Sequence, residues 1–477
     1  MSETPRKSIP QGFRGRTLAT LGLASKIGLS ALRKGTGLSS PQRDAEEAEK
    51  TATALVDQLG NLKGLVMKFG QMASYLDSTL PPGAQKILSK LQSAAQPIDG
   101  GTIVALLEAE LGHPVDELFE EFDRTPIAAA SIGQVHRARH AGRQVVVKVQ
   151  YPEIESVLRS DISTVGRLAR LMTFMGPTDG GALVAELEAR IVEECDYAAE
   201  ARNQETFRRL LSVDGSARSA GEVKAPKNIV PAVVHERSTG RVLTSEYVDG
   251  QRFADFLRDA DQPTKNSVGA TIFDTCFTCV FHHCLYNADP HPGNYLFMPD
   301  GRVAFLDFGC VRAFDTTMID RWKGLALAFL SGNKARAKEM TILLGLAPDS
   351  KKYDWDYHFE ILAYLYSPFT STNYTYSQEY VAKSYDLMIW KNPNKYQTAI
   401  PPEWLFLNRL QWGLNSILAM LHANAPWGEM WREALESPTV PQRVTSDGDH
   451  GGAGAASSDD ARRSGRTPSA PPASPEA

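Results

Sequence analysis

The chain has 477 residues, 42% hydrophobic and 22% charged, which is room for two or three domains with a substantial core. Fifty-one Lys and Arg against 56 Asp and Glu leave a net charge of −5, and that argues against a dedicated nucleic-acid binder, a class that is basic as a rule. Five cysteines are too few, and odd, for a disulfide framework and point to a reducing compartment, and no uncharged apolar run reaches the roughly 18–20 residues of a membrane-spanning helix.

Both ends differ from the middle. Residues 1–40 form a basic arm in which Arg6, Lys7, Arg14, Arg16, Lys26, Arg33 and Lys34 face a single acid, Glu3. Its Leu18, Leu21, Leu23, Ile27, Leu29 and Leu32 fit one helical face only loosely. The arm therefore reads as an amphipathic helix on anionic lipid, a transit peptide or a partly ordered basic terminus. Residues 441–477 carry no aromatic side chain and are dominated by Gly, Ala, Ser, Pro, Asp and Arg. They cannot bury enough apolar surface to offset chain entropy, and disorder is expected.

Residues 41–112 read as a helical extension. Pro41 sits at a first-turn position, the periodic stretch runs to about Leu76, and Pro81-Pro82-Gly83 breaks it. Helices follow to about Ala95 and over Thr102–Leu111. From Thr125 to Val149 the period shifts to strands, with a turn at His140-Ala141-Gly142-Arg143. Helical patterns cover Glu153–Met172 and Ala182–Leu211, and strands are expected at Ile229–His235, Arg241–Tyr247, Tyr295–Met298 and Val303–Leu306. Ala270–Leu285 reads as a buried helix, and after Asp315 the pattern is almost wholly helical to about residue 436. The expectation is an α+β chain: the extension, a small mixed lobe at 113–248 and a larger, mainly helical lobe at 249–440.

The densest chemical signal is Asn287-Ala288-Asp289-Pro290-His291-Pro292-Gly293-Asn294, a rigid irregular loop directly after the buried helix. It brings a carboxylate, Asp289, and a carboxamide, Asn294, into one loop. A strand, the turn Pro299-Asp300-Gly301-Arg302 and a second strand lead to Asp307-Phe308-Gly309. An acid at a strand end before a glycine suits a hard divalent cation. Together these residues match the kinase arrangement, in which Asp289 acts on the acceptor while Asn294 and Asp307 hold Mg²⁺ on the phosphates.

The upstream parts follow in the required order. Val145-Val146-Val147-Lys148-Val149 corresponds to the strand that carries the phosphate-binding lysine, Lys148. Leu243 to Gly250 resembles the strand and hinge that hold adenine, with Ser245 as gatekeeper and the Glu246 carbonyl and Val248 amide facing the base. The glycine-rich loop is absent. In its place stand Ala128, Ala129, Ala130 and Ser131, whose methyl groups restrict close backbone approach to a phosphate. No long segment ending in Ala-Pro-Glu follows Gly309, so the usual peptide platform is lacking.

Cys276 and Cys279, with His283 nearby, are half of a zinc-like pattern, but one apolar helix cannot close a tetrahedron and no second pair exists. They read as buried thiols. His291 between two prolines reads as a loop-rigidifying residue. The aromatic residues between Trp355 and Tyr380 read as core packing, with a lipid pocket as the alternative.

The alanine-rich A-A-A-S segment, Lys68-Phe69-Gly70-Gln71, Glu194-Cys195-Asp196 and the Asp289–Asn294 loop together resemble the UbiB (ADCK) family of atypical kinases over roughly residues 40–436. The resemblance implies a protein-kinase-like two-lobed fold, binding of ATP with Mg²⁺, phosphotransfer or ATPase activity, and a role with quinones or other isoprenoid lipids. It also implies that Glu200 pairs with Lys148 and that Lys68 and Gln71 face Glu194 and Asp196 as a restraint on the cleft. The residues themselves leave Glu193 and Glu186 open as the lysine partner. Some members carry C-terminal hydrophobic anchors, whereas this chain ends in a polar tail. The implied partners are Mg-ATP, a quinone-precursor lipid, a membrane surface met through the basic arm, and a second copy or biosynthetic enzymes, with no nucleic acid. The implied location is cytoplasmic or peripheral on an inner membrane face, or mitochondrial if the arm is a transit peptide. A nucleotide-sensing scaffold is the competing functional class.

Overall fold

The structure, a computed structural model, describes residues 98–130, 132–160, 194–213, 228–287, 290–394, 397 and 401–441. The expectations for the basic arm, the polar tail, Lys68, Gln71, Ser131 and Asp289 lie outside the described residues.

The smaller lobe is built on an antiparallel sheet. Strands β1 (Glu121–Ala129), β2 (Gly133–His140) and β3 (Arg143–Gln150) pair in sequence order. The β2–β3 turn puts Ala141 at φ 51° and Gly142 at φ 73°, the left-handed pair that a two-residue hairpin needs to match strand twist. Short β4 (Asn228–Ile229) belongs elsewhere, and β5 (Val242–Glu246) completes this sheet beside β3. Helix α1 (Gly100–Leu111) is capped by Asp99, which accepts the Thr102 N–H at 3.3 Å, and it stops at Gly112, φ 76°. Its Ile103, Val104 and Leu107 pack with Val145, Val147, Val149 and Val242 in one buried cluster. Each such side chain contributes about 1.5–3 kcal/mol on full burial.

Alternation along β3 then decides the cleft. Val145, Val147 and Val149 turn inward, so Val146 and Lys148 turn to the opposite face.

Three expected elements are refined by the structure. Ala128 and Ala129 of the alanine-rich segment are strand, because β1 runs to Ala129. They face Val135 and Gln134, with register shifts on either side of Pro126. Of the helix expected over Ala182–Leu211, the described part begins at residue 194, breaks at Asp196 and continues as α2 (Tyr197–Val213). The Asp196 carboxylate accepts the N–H groups of Ala198 and Ala199, both at 3.0 Å, which makes it a helix cap. The strand expected over Ile229–His235 shrinks to β4, a bridge at Val233 and a 3₁₀ turn at His235–Arg237. Pro231 lacks the N–H a continuing ladder requires.

The larger lobe surrounds α3 (Gln262–Phe281), capped by Asp261 with Pro263 in its first turn. Val268, Ile272, Phe273, Phe277, Val280 and Phe281 are buried within it. Cys276 and Cys279 lie on this helix, and burial pushes the Cys276 thiol well up. Around it pack α4 (Thr316–Leu330), α5 (Pro402–Met420) and α6 (Trp427–Glu436). Tyr376 meets Tyr380 at 5.5 Å and Trp427 at 5.3 Å between ring centres, so these aromatics form core.

Against the core lies a second small sheet in which β6 (Gln251–Arg252), β8 (Tyr295–Phe297), β9 (Val303–Phe305) and β4 run side by side. Strand β7 (Leu285–Asn287) pairs separately with β10 (Val311–Ala313). Among the described residues no helix is long and apolar enough to cross a membrane.

Candidate active site

Between the two lobes lies a cleft of about 610 Å³ that contains Lys148, Glu200, Asn294 and Asp307. Lys148 Nζ donates to Glu200 Oε1 at 2.8 Å and Oε2 at 2.9 Å, and lies 3.6 Å from Asp307 Oδ2. Of the three glutamates left open by the sequence, Glu200 lies on the lysine, and Glu186 and Glu193 lie outside the described residues. Glu200 sits in the first turn of α2 because Asp196 starts that helix, which turns its side chain inward to 3% exposure. The Tyr197 ring lies 4.8 Å from the ammonium.

The electrostatics of this trio are strained. Burial disfavours the Lys148 charge, but Glu200 and Asp307 outweigh it and hold the lysine protonated. Burial likewise pushes Glu200 up, to about 7, with Lys148 pulling it back.

Asp307 is aimed by its neighbours. Its Oδ1 accepts the Gly309 N–H at 3.0 Å, which turns Oδ2 to Lys148. The Asn287 amide donates to the Asp307 carbonyl, and the Asn203 amide to the Phe308 carbonyl at 3.1 Å. Phe308 is 1% exposed and packs on Phe207 at 5.1 Å between ring centres. A Cβ at Gly309 would fall 3.4 Å from Asp307 Oδ1 and 3.7 Å from Glu200 Oε2, in ordinary contact with both carboxylates.

Asn294 arrives by a different route. The β8–β9 hairpin pairs Tyr295 with Phe305, which sets the residue before one strand against the residues after the other. Leu306 N–H donates to the Asn294 carbonyl at 3.0 Å. The His291 imidazole accepts the Gly293 N–H at 3.0 Å, the loop-rigidifying bond expected of it. Asp307 and Asn294 supply a carboxylate and a carboxamide oxygen, donors that fit Mg²⁺ carried on phosphates and do not fit a soft metal.

At the other end, the β3–β5 ladder fixes what faces a base. Tyr247 N–H donates to the Gln144 carbonyl at 3.1 Å, while Glu246 N–H donates to the Ala232 carbonyl at 2.9 Å on the opposite edge of β5. Ser245 and Val248 line the cleft beside Ala128, Ala129 and Ala130. Val135, Val146 and Leu296 add an apolar slot that the motif reading did not pick out. Strand parity was the available signal: Val146 is two residues from Lys148, and Val135 is its cross-strand partner. Arg137 and Arg252 were also missed. The Arg137 guanidinium lies 4.3 Å over the Tyr247 ring, and Arg252 donates across the cleft to the Ile127 carbonyl at 2.8 Å.

Of the remaining expected residues, Glu194 lines the cleft, while Asp196 caps α2 and has Arg202 3.7 Å away. Their proposed partners Lys68 and Gln71 lie outside the described residues, as do Asp289 and Ser131.

Residues 90–341 match the ABC1 atypical kinase-like domain. The chain belongs to that family, the UbiB atypical kinases. It is 29% identical over 414 residues to the rat atypical kinase COQ8B, mitochondrial, covering 83% of this chain and 73% of the rat protein. It is 30% identical over 360 residues to the Schizosaccharomyces pombe atypical kinase COQ8, mitochondrial, covering 73% of this chain and 57% of the yeast protein. Among solved structures, the complex of Mycobacterium tuberculosis Rv3197 with erythromycin aligns with a TM-score of 0.60 at 27% identity, covering 84% of this chain and 99% of that one. The two-lobed architecture is therefore the kinase-like fold of the UbiB family, and the Lys148–Glu200 pair stands in the cleft of that fold.

Proposed function

We propose that this UbiB-family chain is an Mg-ATP-dependent phosphotransferase or ATPase that serves quinone or isoprenoid-lipid metabolism. The reading rests on Lys148, held by Glu200 on one side and within 3.6 Å of Asp307 on the other, at the base of a cleft with an apolar slot. A protonated lysine so placed orients phosphates, while the slot and the backbone that follows β5 receive the base. Bound Mg²⁺ would neutralise phosphate charge, with Asn294 and Asp307 as its protein donors. Asp289 is assigned to the acceptor oxygen, and Ala128 to Ser131 to the roof over the phosphates. Lys68 and Gln71, against Glu194 and Asp196, are assigned to restraint of the cleft.

The lipid assignment draws on the COQ8 relatives and on the missing peptide platform. Strand β10 begins two residues after Gly309, leaving no room for an extended segment. Peripheral membrane contact through the basic arm and a mitochondrial or cytoplasmic location belong to the same reading.

The test is ATP hydrolysis by the full chain, alone and with isoprenoid quinone precursors or anionic liposomes. Stimulation by either is expected. Asp289→Asn is expected to keep Mg-ATP binding and lose turnover. Turnover unchanged in that variant would instead support the nucleotide-sensing scaffold.

A further inference from the structure

Beneath the alanine-rich strand runs a buried hydrogen-bond relay that none of the roles above uses. Gln134 and His136, neighbours on one face of β2, are both 0% exposed. His136 Nδ1 lies 2.8 Å from the Asp123 carbonyl, and His136 Nε2 lies 3.0 Å from Gln134 Nε2. The Gln134 amide then grips the backbone of Ile98 on both sides. Its Oε1 accepts the Ile98 N–H at 3.0 Å, and its Nε2 donates to the Ile98 carbonyl at 3.3 Å.

Only one proton arrangement satisfies this chain. A carbonyl only accepts, so Nδ1 of His136 must donate to Asp123. That leaves Nε2 as the acceptor and requires the Gln134 amide nitrogen to donate to it. The second amide hydrogen goes to the Ile98 carbonyl, and the amide oxygen takes the Ile98 N–H. Every donor and acceptor is used once, with none to spare. Burial holds His136 below its ordinary value, consistent with the neutral ring.

Both ends of the relay matter for the cleft. Ile98 directly precedes Asp99, the cap of α1, and lies thirty-six residues before Gln134. Gln134 is the cross-strand partner of Ala129, and the next turn closes through Ala130 N–H to the Gly133 carbonyl at 2.8 Å. Gly133 itself admits no side chain, since a Cβ would fall 2.1 Å from the Val149 carbonyl oxygen. The Ile98 side chain also packs on the cluster that holds Ile132 and Tyr197, beside Cys195 of the Glu194-Cys195-Asp196 segment.

We propose that Gln134 and His136 are positioning residues for the roof of the cleft, coupling Ile98, at the start of α1, to Ala129, Ala130 and Gly133. The relay fixes where Ala129 and Ala130 stand relative to Lys148, independently of any contact made by Lys68. Its effect on nucleotide rests on the Mg-ATP reading above. Its mechanical content does not.

Two substitutions separate positioning from mere support, because Asn mimics the Nδ1 side of histidine and Gln the Nε2 side. His136→Asn keeps the bond to Asp123 and loses the bond to Gln134. His136→Gln keeps an acceptor for Gln134 and loses Asp123. Both lose the stacked contact of the imidazole with Phe122, 5.1 Å between ring centres. Amide hydrogen exchange on the full chain is read at Ile98 and Ala130, together with KM and kcat for Mg-ATP. For His136→Asn, exchange is expected to rise about tenfold at both amides, and KM about tenfold with kcat within about twofold. His136→Gln is expected to stay near wild type in all of these. Gln134→Met, which preserves length without the polar atoms, supplies a second variant with the outcome expected of His136→Asn. Equal behaviour of the two histidine variants, or faster exchange at Ile98 with Ala130 unmoved, would overturn the proposal. If the wild-type chain neither binds nor turns over Mg-ATP, the nucleotide reading fails while the exchange comparison still decides the relay.

Discussion

The two walls of the cleft are held by different means. The roof is a ladder: β2, β3 and β5 pair in continuous register, β1 joins β2 with shifts on either side of Pro126, and strand parity decides which residues face the cleft. The floor has strands of only two or three residues, so its polar groups are aimed one at a time, as Asn287 and Gly309 aim Asp307. A ladder places many side chains at once and shifts them together. A floor built from single bonds places each group separately, and one substitution there disturbs one role.

Four substitutions break or sharpen that contrast, from the largest effect down. Asp307→Asn should abolish the thermal stabilisation given by Mg-ATP, since the metal loses its carboxylate; equal stabilisation of wild type and variant would refute the metal role. The fold should survive, because Phe308 and its contact with Phe207 are untouched.

Lys148→Ala acts on both walls. Turnover should fall about a hundredfold or more, and unfolding free energy by about 3 kcal/mol as Glu200 and Asp307 lose their shared cation. Denaturant titration and steady-state kinetics read the two effects separately.

The third test is pH. Glu200 titrates near 7 in the fold, above its ordinary 4.5. A raised carboxyl favours the folded state below about pH 4.5 and loses that contribution as pH rises through 7. Function runs the other way, because the protonated carboxyl no longer anchors Lys148 as an ion pair. Mg-ATP affinity should therefore decline as pH drops through 7, and Glu200→Gln should flatten the profile at the low-affinity level. An unchanged profile in Glu200→Gln would assign the titration to another group.

The smallest effect belongs to the roof. Ala129→Gly should cost about 0.5–1 kcal/mol of stability as a strand glycine, yet tighten adenine-nucleotide binding several-fold and raise self-phosphorylation. Labelled γ-phosphate incorporation checks it. No gain would mean that the methyl group does not hold the backbone back.

Motif order made Lys148, Asn294 and Asp307 legible in the sequence, because Lys148 is the polar residue within the apolar run of β3 and the other two stand beside short strands with fixed neighbours. Glu200 was legible only through family resemblance, since Glu186 and Glu193 offered the same chemistry until the cap at Asp196 set the helix phase. The apolar slot stayed hidden for a different reason. A valine facing the cleft and one facing the core look alike until the register of β3 is known. The Gln134 relay was beyond reach, because two polar residues in a strand say nothing about a backbone thirty-six positions away. Ala128 and Ala129 fall within the strand pattern expected from Thr125, and their pairing with β2 places them in the ladder.

The burial of Phe308 has a consequence for inhibitor chemistry. Strand β10 is locked to β7 through Val311, Arg312 and Ala313, and the Phe314 N–H donates to the Cys284 carbonyl at 2.8 Å. A compound that needs Phe308 to swing out would have to unzip that pairing and open the Phe207 contact before gaining anything in return. Compounds that fill the slot between Val146 and Leu296 meet no such barrier, and selectivity is better sought there, in the methyl-lined roof that glycine-loop kinases do not share.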